Sequence, residues 1–236
     1  MSSSILPDAR TAFLNNGICN KYDYYFPVYD RHFARYKGRD EVVMLEIGVQ
    51  KGGAIEPWRQ FFGPGLRYYG MDIDPACKAL ERDGVTIFIG DQQDRAALAE
   101  VKRNMPRPDI ILDDGGHKSK QQVVSFEELY PWLKDDGTYM VEDIQTAFWK
   151  GFERTFLWKG RLYFDGFLGY AHRLGRQLTE YHWDIRNRYR YLEPRETRQG
   201  TVPVSDFCKS TFAMTWHDSF VVFEKRPMPE PMRWEG

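Results

Sequence analysis

The sequence holds three cysteines in 236 residues (Cys19, Cys77 and Cys208), far apart and without a CxxC pair. An odd number at such spacing argues against a disulfide framework and against a structural zinc site. No stretch approaches the roughly 20 apolar residues that a bilayer-spanning helix needs. The opening MSSSILPDART has neither the charged start nor the apolar run of a secretory leader. An excess of one charge is lacking too. With 33 Lys and Arg against 34 Asp and Glu, the formal net charge of -1 gives no general attraction to nucleic acid or to an anionic membrane. Internal repeats and low-complexity segments are absent, and so is GxGxxG, which leaves a nicotinamide or flavin fingerprint poorly supported. The expected compartment is the cytoplasm.

What is present is a globular composition, 42% hydrophobic and 28% charged. The length favours one domain. It divides into a helical flap (1–40), a core (41–148), an insertion (149–200) and a terminal hairpin with tail (201–236). In the first part Phe26, Tyr29, Phe33 and Tyr36 recur at helical spacing, with Pro27 suited to a first turn and Gly38 to a stop. Such a stripe either docks an aromatic face on the core or covers a ligand site. The core alternates strand-like runs (Val42–Ile47, Arg67–Ile73, Val85–Ile89, Asp109–Leu112, Thr138–Val141) with helical ones (Ala54–Phe62, Pro75–Arg82, Asp94–Arg103, Lys120–Leu133). That order predicts a parallel sheet covered on both faces, with ligands at the carboxyl ends of its strands.

The insertion is basic, with 11 Lys and Arg against 6 Asp and Glu from Lys150 to Arg198. Phe167, Ala171, Leu174, Leu178 and Tyr181 mark one amphipathic helix within it, with Asp165 as a candidate cap. The remainder, 184–200, reads as an irregular loop. The tail runs Thr211–Trp216, a tight turn at His217-Asp218-Ser219, then Phe220–Glu224, which must be an antiparallel hairpin.

Three strand ends carry polar groups in register. Leu45-Glu46-Ile47-Gly48 leads into a turn containing Gly52 and Gly53. Glycine there allows close approach of a ligand, and Glu46 suits a cationic one better than a pyrophosphate. In Met71-Asp72-Ile73-Asp74-Pro75, Asp72 is placed for ribose hydroxyls and Asp74 for capping the next helix. At Ile89-Gly90-Asp91-Gln92, Asp91 can receive an adenine amino group. Each turn alone has a plainer reading as turn chemistry. Their coincidence does not.

With Asp113-Asp114-Gly115-Gly116-His117, Val141-Glu142-Asp143 and the terminal DSFVVFEK, these motifs resemble class I S-adenosylmethionine (SAM) methyltransferases. The chain is similar to the bacterial macrolide-sugar O-methyltransferases of the mycinamicin 2''-O-methyltransferase type, over roughly residues 20 to 226. The resemblance implies a Rossmann-like α/β fold whose mostly parallel seven-stranded sheet ends in an antiparallel C-terminal hairpin. It implies SAM as cofactor, with Glu46 and Gly48 near its methionine part and Asp72, Asp91 and Gln92 around its nucleoside. It also implies a homo-oligomer, and the chain is expected to lack the extra N-terminal domain of that type.

Asp113, Asp114, Glu142 and Asp143 leave the ends of two consecutive strands, so three or four carboxylates should gather at one rim. Like charges there repel unless a cation joins them, and hard oxygen ligands suit Mg²⁺ or Mn²⁺ better than zinc. By the family pattern the metal ligands are Asp114, Glu142 and Asp143. His117, three residues after a ligand, is the candidate general base for a saccharide hydroxyl that the metal makes more acidic. His32, His172, His182 and His217 have no such setting. The expected acceptor is a saccharide or glycoside, with Arg154, Arg186 and Arg188 as candidates to hold a carboxylate or phosphate on it. A catechol substrate and a non-catalytic cofactor-binding module are the competing readings. RNA is disfavoured by the balanced charge.

Overall fold

The computed structural model describes residues 6–14, 20–152, 155–158, 161–164, 166–183 and 203–231. Strands β1 (Val42–Ile47), β2 (Leu66–Asp72), β3 (Val85–Ile89), β4 (Ile110–Asp113) and β5 (Thr138–Val141) run parallel. Strands β6 (Thr155–Trp158) and β7 (Arg161–Phe164) form a separate two-stranded hairpin, which the sequence reading did not contain. Strand β8 (Thr211–His217) pairs antiparallel with β9 (Phe220–Lys225), and β9 antiparallel with β5. The seven-stranded order is therefore β3-β2-β1-β4-β5-β9-β8, with β9 alone running against the others.

The strand runs were legible because both sheet faces are covered. Every residue of β1 is buried. Val42 and Met44 point into one apolar cluster, and Val43, Leu45 and Ile47 into the other. That is the period-two alternation of a strand between two layers. The first layer comprises α1 (Ala9–Leu14), α2 (Phe26–Phe33) and α3 (Ile55–Phe62), rich in aromatic side chains around Trp58. The second comprises α4 (Arg95–Asn104), α5 (Ser119–Leu129) and α6 (Phe167–Gln177). A last short helix, α7 (Asp206–Ser210), precedes β8. No helix among the described residues is long and apolar enough to cross a membrane.

Several boundaries differ from expectation. Residues 75–80 form a 3-10 helix rather than an α-helix reaching Arg82. Asp74 caps it as predicted, but Arg82 already bridges to Val85 across Gly84 at φ 74°, so a longer helix has no room. α5 stops at Leu129, ahead of Pro131. α2 continues as a 3-10 turn over Ala34–Tyr36 before Gly38. Asp165, Arg154, Arg186, Arg188 and the 184–200 loop lie outside the described residues.

The order places the chain's turning point between β1 and β4. The first three strands build outward on one side of β1, and the fourth returns to its other side. Their carboxyl ends diverge there, leaving the crevice in which ligands of such sheets bind.

Candidate active site

Two adjoining cavities lie at this edge. A larger one of about 350 Å³ is lined by Lys21, Tyr25, Glu46, Asp114, His117 and Asp143, among others. A smaller one of about 170 Å³ lies against Asp72, Gly90, Asp91 and Gln92. Gly48 and Gln50 border both, so the turn after β1 divides a single cleft into two lobes.

Gly48 is required by the protein's own backbone before any ligand is considered. It sits at φ 94°, and a Cβ built on it would lie 2.0 Å from the carbonyl oxygen of Asp114. The loops after β1 and β4 pass that close because the two strands are neighbours. Gly115 serves the same crossing, since a Cβ there would lie 1.9 Å from Oε1 of Gln92. That oxygen accepts the Gly116 amide at 2.9 Å, while Gln92 Nε2 donates to Asp113 and to Ser125, each at 2.9 Å. Gln92 thus borders the smaller lobe, but its amide is engaged by protein, tying the ends of β3 and β4 together.

In the smaller lobe the acids are satisfied by backbone. Asp72 accepts the amides of Gln50 (2.8 Å) and Asp74 (2.9 Å), which pins the dividing turn. Asp91 accepts from the Gln93 amide at 2.9 Å and its side chain at 2.7 Å. Burial pushes the Asp91 carboxyl up, but these donors outweigh it and hold the group below its usual range.

The larger lobe is built differently. Glu46 lies on the aromatic side of β1, 1% exposed, accepting from Tyr68 at 2.5 Å and Trp58 at 3.4 Å. Burial drives it up to about 7, against the pull of the Tyr68 hydrogen bond and Lys21. From the end of β5, Glu142 is fully buried and accepts from Tyr29 at 2.5 Å and Lys21 at 2.6 Å. Burial and then the Asp114 charge raise its carboxyl. The same Lys21 ammonium reaches Asp114 Oδ2 at 2.5 Å. Burial alone would lower the ammonium, but Asp114 and Glu142 overcome it and raise it. Asp143 accepts from Tyr25 and, at 2.9 Å, from Gln145. His117 Nε2 stands 3.4 Å from Asp143 and 4.0 Å from Asp114.

Of the expected metal ligands, Asp114 and Asp143 come together, with His117, while Glu142 stands outside that group and meets Asp114 at the Lys21 ammonium. Asp113 is turned instead to Gln92 and, at 3.5 Å, to Tyr139. The expected aromatic helix does two things: α2 and the turn before it dock on the core, and Tyr25 and Tyr29 reach the acids. Lys21, Tyr25 and Tyr29 were missed as site residues. Their partners lie 93 to 121 positions away, and no local pattern announces such a contact. Three residues of this lobe, Gln50, His117 and Asp143, have left-handed backbone (φ 48°, 54° and 55°) without being glycine. Such strain persists only where surroundings impose it, and it clusters at functional sites. His32 pairs with His217 at 2.9 Å and His172 stacks on Trp216, both away from the cleft.

The donor set fits a small hard cation. Ligand atoms of Asp114, His117 and Asp143 lie within 4.8 Å of one another. The buried Nδ1 of His117 has no hydrogen-bond partner among the described residues, and an ammonium already lies between Asp114 and Glu142. A two-lobed cleft with acids under one lobe and a bordering glycine turn also fits an elongated nucleoside cofactor.

This topology and cleft define the Rossmann-like methyltransferase fold. The methyltransferase MycE of the mycinamycin pathway, solved with Mg and SAH (S-adenosylhomocysteine), superposes with a TM-score of 0.74 at 24% identity, over 95% of this chain and 56% of that one. In sequence, the resemblance to macrolide-sugar O-methyltransferases holds. The chain is 38% identical over 136 residues to demethylmacrocin O-methyltransferase of Streptomyces fradiae, covering 55% of this chain and 34% of that protein. It is equally 38% identical over 136 residues to mycinamicin VI 2''-O-methyltransferase of Micromonospora griseorubida, covering 55% and 33%. The chain thus spans about a third of the length of the curated relatives it matches. No protein-family model matches it.

Proposed function

We propose that the chain is a SAM-dependent, divalent-metal-dependent O-methyltransferase acting on a saccharide hydroxyl of a glycoside natural product. The observation that carries this is the division of one cleft at Gly48–Gln50, with Asp72 and Asp91 under one lobe, Asp114, His117 and Asp143 around the other, and Glu142 buried beside Asp114 at the Lys21 ammonium. The relatives named above are O-methyltransferases of demethylmacrocin and mycinamicin VI, and MycE has also been solved with Mg, SAH and mycinamycin VI.

In this reading Asp72 and Asp91 hold the nucleoside, and Glu46 faces the cationic methionine end. Gln92 acts through the strand-end geometry it fixes. Asp114, Glu142 and Asp143 hold the metal. When bound, SAM supplies an electrophilic methyl group and the metal lowers the pKa of the acceptor hydroxyl. The protein's own work is alignment and proton removal. The cleft brings acceptor oxygen and methyl carbon together, which is worth several orders of magnitude in rate. His117 Nε2, facing Asp114 and Asp143, takes the hydroxyl proton as the oxygen–carbon bond forms and the carbon–sulfur bond breaks. The Thr146 hydroxyl donates to the His117 backbone carbonyl at 3.3 Å, fixing the chain that carries that ring. We further place the protein in solution as a homo-oligomer, with residues 149–200 supplying acceptor or subunit contacts.

The test is methyl transfer from labelled SAM, with Mg²⁺, to a panel of glycosides and catechols. Product on a sugar hydroxyl supports the reading. Transfer confined to catechols replaces the substrate class, and SAM binding without transfer to either reduces the chain to a binding module.

A further inference from the structure

Lys21 is the least expected member of the site. Its side chain is 8% exposed and its Nζ lies 2.5 Å from Asp114 Oδ2 and 2.6 Å from Glu142 Oε2. The rings of Tyr25 and Tyr29 lie 5.9 and 6.0 Å from the ammonium. It therefore joins the ends of β4 and β5, the same two strand ends that a metal held by Asp114 and Glu142 would join. Unlike those acids, which leave core strands, Lys21 comes from irregular chain before the 3-10 turn Asp23–Tyr25. The neighbours Asn20, Tyr22 and Tyr25 line the larger cavity with it.

We propose that Lys21 is a built-in counter-cation that occupies the metal's position between Asp114 and Glu142, and that a divalent ion must displace it to bind. This rests on the metal-dependent reading above. A single buried charge stabilises the acids while no metal is bound, because two carboxylates facing each other without a cation would repel at low effective dielectric. A divalent ion carries twice the charge and can engage the carboxylates from one point, so it can win the exchange. The ammonium sits on a long flexible stem and has water as an alternative partner. Displacement has a structural consequence. The 20–25 segment is held at the site by Lys21 and by the Tyr25 hydroxyl on Asp143. Metal occupancy therefore resets the wall against which the acceptor must lie. Lys21 is in this sense a positioning residue, setting metal affinity and wall geometry without touching the reacting atoms.

The test compares Mn²⁺ binding to the wild type and to Lys21→Met by calorimetry, without SAM or acceptor. Removing the competitor should tighten Mn²⁺ binding by about tenfold or more, since a buried charge contact of this kind is worth at least one decade. The variant should also melt lower than wild type in chelator and gain more from Mn²⁺. Unchanged or weaker Mn²⁺ binding in Lys21→Met would overturn the proposal while leaving the metal reading intact. Absence of Mn²⁺ binding to both proteins would remove the metal reading and the proposal together. Should the variant fail to fold, hydrogen exchange of the wild type decides. Amides of residues 20–25 should exchange faster on adding Mg²⁺, and unchanged or slower exchange contradicts displacement.

Discussion

The two lobes of the cleft use carboxylates in opposite ways. Under the smaller lobe, Asp72 and Asp91 draw their hydrogen bonds from the chain next to them or from the adjoining turn, chiefly backbone amides of Gln50, Asp74 and Gln93. Asp91 is stabilised as a charge by these local donors, and both residues line the smaller cavity. In the larger lobe, Glu142 and Asp114 depend on side chains from more than ninety residues away, and burial works against the ionisation of Glu142. An acid held by amides is complete and can recognise a neutral partner. An acid held against other acids is complete only with a cation.

That contrast can be broken most severely from the acid lobe. Asp114→Ala should lower kcat by about 10³-fold or more, because a bound metal contributes several kcal/mol to such reactions. SAH affinity, read by calorimetry, should stay near wild type, since Asp114 belongs to the other lobe. A matching loss of SAH binding would mean the lobes are not independent.

His117→Ala should cost about 10²–10⁴-fold in kcat, the usual contribution of a general base. The loss should be partly recovered as pH rises and hydroxide assists. A change confined to KM would make His117 an acceptor-binding residue.

From the smaller lobe the effect should be milder and should appear in binding. Asp72→Ala removes an acceptor for ribose and the anchor of the Gln50 amide, so SAH affinity should fall by about 10–100-fold, the range for a hydrogen bond to a charged group. Mn²⁺ binding should be unaffected.

Glu46 sharpens the comparison through stability. Its carboxyl is raised in the folded state to about 7 from the ordinary 4.5. Between those values the folded protein binds the extra proton, so stability falls as pH rises through the window and levels off above 7. Glu46→Gln keeps an acceptor for Tyr68 and loses this penalty. By denaturant unfolding the variant should gain on wild type across that window, reaching on the order of 3 kcal/mol at pH 8. Parallel pH profiles would contradict the assigned cause.

Legibility in the sequence followed the range of the interactions. β1 announced itself because all of Val42–Ile47 is buried between two layers, and the tail hairpin because two apolar runs are joined by so few residues. Asp74 was legible as a cap because capping is local, and it does accept the Ala76 amide at 2.9 Å. The rim acids were legible as a group because consecutive parallel strands must end side by side. Where each acid points was not: Asp113 and Asp114 are adjacent in sequence and face different partners. Gln92 read as a cofactor contact from its strand-end motif, and it does border the smaller cavity, yet Asp113 and Ser125 engage its amide. Lys21 was illegible because its meaning lies wholly in the tertiary approach of a loop to two strand ends.

The central claim is that one cleft holds two separable functions, nucleoside binding and cation-dependent proton removal. The most direct measurement follows methyl transfer to a glycoside acceptor and SAH binding on the same preparation, in EDTA and after adding Mg²⁺. Turnover should vanish in EDTA and return with Mg²⁺, while SAH affinity stays nearly constant. Full turnover in EDTA would contradict the account.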